Sequence, residues 1–210
     1  MKKILITGFE KFGDYTENIT EIAATTIKII SGYYVSDMVF PTLIFPTDGE
    51  DYGEKIIARA KEVGANVIIS LGIASAAQGI RIETQAINWV ENEKYCLRSE
   101  QRRVINETLI LKKELKVNLD KWLLGNSRDI SALEEIMHLG KEDCKVELSS
   151  DAGTFCCNAL MFRTLLALQK NNLDIPYLFL HVSPSIKLSK LENALSFIVI
   201  HAERVWPRFY

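Results

Sequence analysis

Short β-branched apolar runs alternate along this chain with stretches whose apolar residues recur every three or four positions. That alternation predicts an α/β protein: a single domain over residues 1–210, built on a mostly parallel twisted sheet with helices on both faces. Residues 2–7 and 67–71 read as strands covered on both faces, because Ile4-Leu5-Ile6 and Val67-Ile68-Ile69 lack polar alternation. Residues 177–182 read as a buried strand. Residues 35–45 are strand-like but interrupted by Pro41, which predicts an edge or bent strand. Residues 78–90 predict an extended segment or hairpin, and the charged stretch 91–118 a surface hairpin or excursion. Residues 145–148 predict another strand.

Helix signals fill the gaps. Asn18 with Glu21 three residues on forms a capping signature for a helix running through Ala23, Ile27 and Ile30. Further helices are predicted over 51–63 and 131–139, and from the turn Ser149-Ser150-Asp151-Ala152-Gly153 to Gln169. Ser189 with Glu192 suggests a second capping box, ahead of an apolar stripe of Leu191, Leu195 and Ile198. No internal repeat, low-complexity tract or linker interrupts the pattern.

Composition narrows the partners. Lys and Arg total 25 against 27 for Asp and Glu, so the chain offers no electrostatic footprint for a nucleic acid or an anionic membrane. The start Met1-Lys2-Lys3-Ile4-Leu5-Ile6 meets Thr7-Gly8 and then Glu10, too short an apolar run for a signal sequence, and no stretch approaches the ~20 apolar residues of a membrane span. A soluble, cytoplasmic protein is expected. Cys96, Cys144, Cys156 and Cys157 show neither a disulfide framework nor paired metal-ligand spacing, so they are expected to be reduced, with no metal and no cofactor. Gly8 and Gly13 do not make a phosphate loop, since Asp14-Tyr15 stands where Lys and Ser or Thr are needed.

Three residues invite chemistry. Cys157 falls in the first turn of a predicted helix, where unpaired N–H groups and the helix dipole favour thiolate and could hold an oxyanion. Alternatively it packs, on one face with Met161, Thr164 and Leu168. His181 lies at the carboxyl end of a strand, where ligands gather in open α/β sheets; it could equally close that strand by a hydrogen bond. Glu83, inside the semi-apolar segment 80–88, could accept the distal N–H of His181, or be a solvated charge paired with Arg81. His138 and His201 read as surface or packing residues.

Four blocks together resemble the pyroglutamyl peptidase I family of cysteine peptidases: Thr7-Gly8-Phe9-Glu10-Lys11-Phe12-Gly13, Glu83-Thr84-Gln85-Ala86-Ile87-Asn88, Asp151 through Asn158, and Leu180-His181-Val182. The resemblance implies Cys157 as nucleophile, because the family's cysteine directly precedes an asparagine, with His181 as base and Glu83 as orienting acid. It implies that Phe9 and Phe12 flank the pyroglutamyl ring of an N-terminally blocked peptide, and that the protein is a homo-oligomer, dimer or tetramer. The chain departs from the family at Gly72-Ile73-Ala74-Ser75-Ala76-Ala77, where a glutamine and an arginine are usual, at Thr84 in place of arginine, and at Glu91 to Lys94, where an arginine usual near the family's active site is missing and whether Lys94 replaces it is left open. These departures admit rivals: a cysteine hydrolase of the same fold with another blocked-amine or amide substrate, or a binding protein with impaired catalysis. A redox role for adjacent Cys156 and Cys157 ranks below both, since a ring between neighbours is strained.

Overall fold

The computed structural model describes residues 2–11, 16–40, 52–88, 114–116 and 144–205; for 114–116 and 201–205 only the backbone is described. In chain order the elements are β1 (Lys3–Phe9), α1 (Ile19–Thr26), β2 (Ile29–Ile30), β3 (Tyr33–Phe40), α2 (Tyr52–Val63), β4 (Val67–Ile73), β5 (Gly79–Glu83), β6 (Gln85–Ile87), β7 (Glu114–Lys116), β8 (Lys145–Ser149), α3 (Cys156–Lys170), β9 (Tyr177–Val182) and α4 (Leu188–Val205). Seven strands form one sheet in the order β2-β3-β1-β4-β9-β5-β8. β3, β1, β4 and β9 run parallel; β5 is antiparallel to β9 and carries β8 parallel to itself, and β2 is antiparallel to β3. The α/β class with a mostly parallel sheet is therefore as the sequence pattern predicts.

The apolar runs become the sheet centre. All six residues of β9 are buried, as are the first six of β4 and the last six of β1. Ile4, Leu5, Ile6, Ile68, Ile69, Leu71 and Phe179 are fully enclosed, and each such side chain contributes about 1.5–3 kcal/mol of burial free energy. Helices α1 and α4 pack on one another, and α2 packs on α3, one pair on each face of the sheet. Asn18 caps α1 by accepting from Thr20 N–H at 2.9 Å, while the Glu21 carboxylate takes the Lys11 N–H instead of closing a reciprocal box.

Several boundaries move. Helix α1 ends at Thr26, short of Ile30, because Ser31 and Gly32 both adopt positive φ (48° and 82°) and turn residues 29–34 into a tight hairpin. The same hairpin overturns the edge placement of residues 35–45: β3 is flanked by β1 and by the two-residue β2, which forms that edge. Pro41 lies outside the described residues. Ser189 is no cap, for α4 starts at Leu188 and its first helical bond runs from Leu191 N–H to Lys187 O at 3.1 Å. Residues 78–90 split, with β5 in the main sheet and β6 paired antiparallel with β7, so the excursion returns beside the strand it left. The helix expected over 131–139 lies outside the described residues.

Candidate active site

Strand register assembles one polar pair on an apolar face. In the antiparallel β5–β9 ladder Arg81 faces His181 and Glu83 faces Phe179, so Glu83 and His181 are diagonal neighbours on the same side of the sheet. Their side chains meet: His181 Nδ1 and Glu83 Oε1 are 2.8 Å apart. Since an ionised carboxylate only accepts, Nδ1–H donates, and Nε2 is left for chemistry. Glu83 is fully buried and His181 is 6% exposed. The Phe179 ring meets the imidazole edge-on at 5.1 Å between centroids, limiting its rotation. Arg81 is not the partner of Glu83, because its guanidinium turns outward to Glu147 Oε1 at 2.7 Å and to the Ala76 carbonyl at 3.0 Å.

Cys157 is brought to this pair by α3. Phe155, in extended conformation, precedes the helix without a side-chain cap, and the first helical bond is Ala159 N–H to Phe155 O at 3.1 Å. The amides of Cys156, Cys157 and Asn158 therefore open the helix without intrahelical acceptors. Met161, Thr164 and Leu168, one helical stripe below Cys157, are buried against the sheet, and Cys157 itself is half-buried at their upper end. Its seat is Gly72 of β4, which is in register with His181. A Cβ placed on Gly72 would lie 2.8 Å from Cys157 Sγ and 3.0 Å from Phe179 Cζ, so the thiol occupies the space that a side chain there would take. No direct hydrogen bond joins Cys157 to His181; contacts of this kind tighten when substrate is bound.

Asn158 fixes the helix start. It is buried, accepts the Ile87 N–H at 2.8 Å and donates to the Ile87 carbonyl at 2.9 Å, tying α3 to β6. Thr84 N–H and Oγ1 both bond the Ser149 carbonyl (2.7 and 3.0 Å), and Gln85 Nε2 bonds the Ser150 carbonyl at 2.8 Å. The segment that carries Glu83 and the turn that leads into Cys157 are thus fastened to each other. Sequence reading missed Asn158 and Gly72 as contributors; the only signal was their presence inside or beside the motif blocks.

The electrostatics differ from the helix-start expectation. The Cys157 thiol is held well above the ordinary range by its interaction with the Cys156 thiol, by burial, and by the negative charge of Glu83, while its own backbone amide acts weakly the other way. Cys156 is pushed in the opposite direction, chiefly by the proton that Cys157 offers it. Adjacent thiols cannot both ionise easily, so the two titrate as a pair. The helix start therefore does not by itself favour thiolate at Cys157, and forming the nucleophile there calls for a base.

Of the other residues singled out by sequence, Phe9 ends β1, is 5% exposed and packs on Phe40 with centroids 6.3 Å apart. Phe12, Lys94, Cys96 and His138 lie outside the described residues, and of His201 only the backbone is described. The loop after Gly72 folds back on the end of β9, with Ala74 N–H bonding the Val182 carbonyl at 3.1 Å. Cys144, Cys156 and Cys157 are free thiols. Among the described residues no group of three or more His, Cys, Asp or Glu is placed to hold a metal ion, and no helix is long and apolar enough to cross a membrane.

Comparison with known proteins gives this geometry a family. The pyrrolidone-carboxylate peptidase of Oceanobacillus iheyensis is 29% identical over 206 residues, covering 94% of this chain and 92% of its own. That of Thermoanaerobacter sp. (strain X514) is 28% identical over 184 residues, covering 86% of this chain and 81% of its own. The fold matches solved pyrrolidone carboxyl peptidase from Thermococcus litoralis (TM-score 0.73, 22% identity, 97% of this chain and 94% of that one) and pyroglutamyl peptidase I from Bacillus amyloliquefaciens (TM-score 0.74, 21% identity, 96% and 94%). A family profile for pyroglutamyl peptidase matches residues 2–198, nearly the whole chain, and the chain belongs to the pyroglutamyl peptidase family.

Proposed function

We propose that this cysteine peptidase removes N-terminal pyroglutamate with Cys157 as nucleophile, His181 as proton carrier and Glu83 as the group that orients His181. The family supplies the reaction class. The observation that supports the assignment of roles is the buried Glu83–His181 hydrogen bond beside a half-buried thiol seated on Gly72. His181 Nε2 takes the thiol proton as sulfur attacks the pyroglutamyl carbonyl carbon, a role that suits a thiol held above its ordinary range. We assign the oxyanion to backbone N–H groups at the start of α3, where the helix dipole also favours negative charge. His181 returns the proton to the leaving amine as the C–N bond breaks, leaving a thioester. It then activates water, which displaces the sulfur and frees pyroglutamate. Glu83 keeps the tautomer and stabilises the transient imidazolium without taking the proton.

Specificity for a neutral lactam is our reading of Phe9, which ends β1 at its carboxyl end, where open sheets bind ligands, together with Phe12 of the same motif block. A free α-ammonium buried between aromatic rings would carry a desolvation penalty that the lactam avoids. We also read residues 1–210 as one domain, working in the cytoplasm because a free nucleophilic thiol suits a reducing compartment. The resemblance supports a dimer or tetramer.

The test is kcat/KM for pyroglutamyl, prolyl and alanyl amides of one fluorogenic amine. The pyroglutamyl amide is expected to be cleaved fastest, activity to vanish in Cys157→Ser, and most of it to survive in Cys156→Ser. Faster turnover of the prolyl or alanyl amide would overturn the lactam reading, and equal losses in the two folded cysteine variants would overturn the choice of nucleophile.

A further inference from the structure

The hydrolysis described above gives no task to Arg81, the cross-strand partner of His181. Register places Gly72, His181, Arg81 and Glu147 in one row across the neighbouring strands β4, β9, β5 and β8, on the face that carries the thiol. Because β5 runs back from the end of β9, Arg81 stands at the carboxyl end of the parallel strands, level with the site. A guanidinium carries five N–H groups in a planar fork. Nε serves Glu147 at 2.7 Å and Nη2 the Ala76 carbonyl at 3.0 Å, while Nη1 has no acceptor among the described residues and the side chain is 30% exposed. Glu147 is itself shared, since its other oxygen takes Lys145 Nζ at 2.8 Å. One carboxylate thus faces two cations, and the trio keeps a net positive charge.

The reaction offers that charge a use. His181 hands its proton to the leaving amine, so the leaving residue passes on the His181 side of the scissile bond, and the next strand beyond β9 is β5. Neighbouring strands lie about 4.8 Å apart, and a carboxylate on a leaving amino acid lies within about 4 Å of its amine nitrogen. One strand step therefore separates the departing amine from a cation able to meet that carboxylate, and a guanidinium fork matches a carboxylate through paired N–H bonds. We infer that Arg81 is a specificity residue that holds a carboxylate on the residue leaving after pyroglutamate. The favoured substrates are then pyroglutamyl dipeptides with a free α-carboxylate, or peptides with Asp or Glu next to the pyroglutamyl group. The inference rests on the assignment of Cys157 and His181, which fixes where the leaving amine sits. Glu147 competes for the same guanidinium and so limits the preference.

The experiment compares kcat/KM for pyroglutamyl-alanine, its amide, and the α-amide of pyroglutamyl-glutamate, read by the amine released. The parent is expected to favour at least one carboxylate substrate over the alanine amide on the order of 10-fold; which one is favoured separates an α-carboxylate from a side-chain source. That advantage should shrink at about 1 M salt. Arg81→Gln should bring the ratio close to one, and Glu147→Gln, which releases the guanidinium, should raise it, whereas a purely structural ion pair would make both variants slow all three substrates alike. Equal cleavage of the three by the parent, a ratio unmoved by Arg81→Gln, or a ratio moved the same way by both variants would overturn the inference. The parent ratio and its salt dependence need no variant, so they decide even where Arg81→Gln does not fold. Calorimetric binding of the same compounds to Cys157→Ser reads the preference without turnover. Preference in binding without cleavage by the parent fails the peptidase reading alone, and cleavage without preference fails this inference alone.

Discussion

Gly72→Ala tests whether the floor under the thiol matters as much as the groups around it. The new Cβ would lie 2.8 Å from Cys157 Sγ and 3.0 and 3.1 Å from Phe179 Cζ and Cε1. Ordinary contact begins at about 3.5–4.0 Å, so one neighbour must retreat by roughly 1 Å. Phe179 is fully buried on β9, whereas Cys157 is half-buried at a helix start and is the group that yields. A misplacement of about 1 Å at a reacting atom costs on the order of 100-fold, or about 2.7 kcal/mol of barrier. Overpacking of this kind lowers stability by about 1–3 kcal/mol. The assay pairs kcat and KM for a fluorogenic pyroglutamyl amide with a thermal melt. The expected pattern is a kcat down on the order of 100-fold, KM little changed, and a protein still folded at the assay temperature. A kcat within threefold of the parent, or a loss carried wholly by KM, would refute the claim that Gly72 positions the nucleophile.

Three more outcomes follow from the same geometry. His181→Ala should abolish turnover and Glu83→Gln should cost less, and because the two act as a unit the double variant should be no worse than His181→Ala alone; additive losses in kcat/KM would separate them. Asn158→Ala leaves both the N–H and the carbonyl of Ile87 without their partner, so a thermal melt should show a loss on the order of 1–3 kcal/mol, accompanied by slower alkylation of Cys157 as the helix start loosens. Cys156→Ala removes the foremost influence that holds the Cys157 proton on; only thiolate reacts, so the pH profile for iodoacetamide alkylation of Cys157 should move to lower pH, and an unmoved or upward-shifted profile would contradict the coupling of the two thiols.

Much of this protein is legible without coordinates because its signals are local. The unbroken apolar runs at Ile4-Leu5-Ile6, Val67-Ile68-Ile69 and Tyr177-Leu178-Phe179-Leu180 dictate doubly covered strands, and the sheet centre is made of them. The Asn18 cap is likewise local, a short side chain satisfying an amide two residues on. Where a local signal is ambiguous, a competing one decides: Ser189 has the composition of a cap but lies inside α4, and Ile30 has helical spacing but is pulled into β2 by the turn at Ser31 and Gly32.

The candidate site divides along the same line. Residue type and motif order mark Glu83, Cys157 and His181, because a thiol, an imidazole and a carboxylate are individually recognisable chemistry. Their relation is a matter of register. Glu83 meets His181 only because β5 runs antiparallel to β9, which sets them diagonally across one ladder; a parallel pairing or a one-residue slip would send the carboxylate elsewhere. Gly72 carries no chemistry and Asn158 none that a sequence reveals, yet one provides the space for the thiol and the other ties its helix to β6. The environment of the Cys157 thiol was also decided in three dimensions. Position at a helix start argues for thiolate, but the Cys156 thiol, burial and the charge of Glu83 push the other way once the chain has folded, since a charge is disfavoured by lost solvent and by neighbours of its own sign.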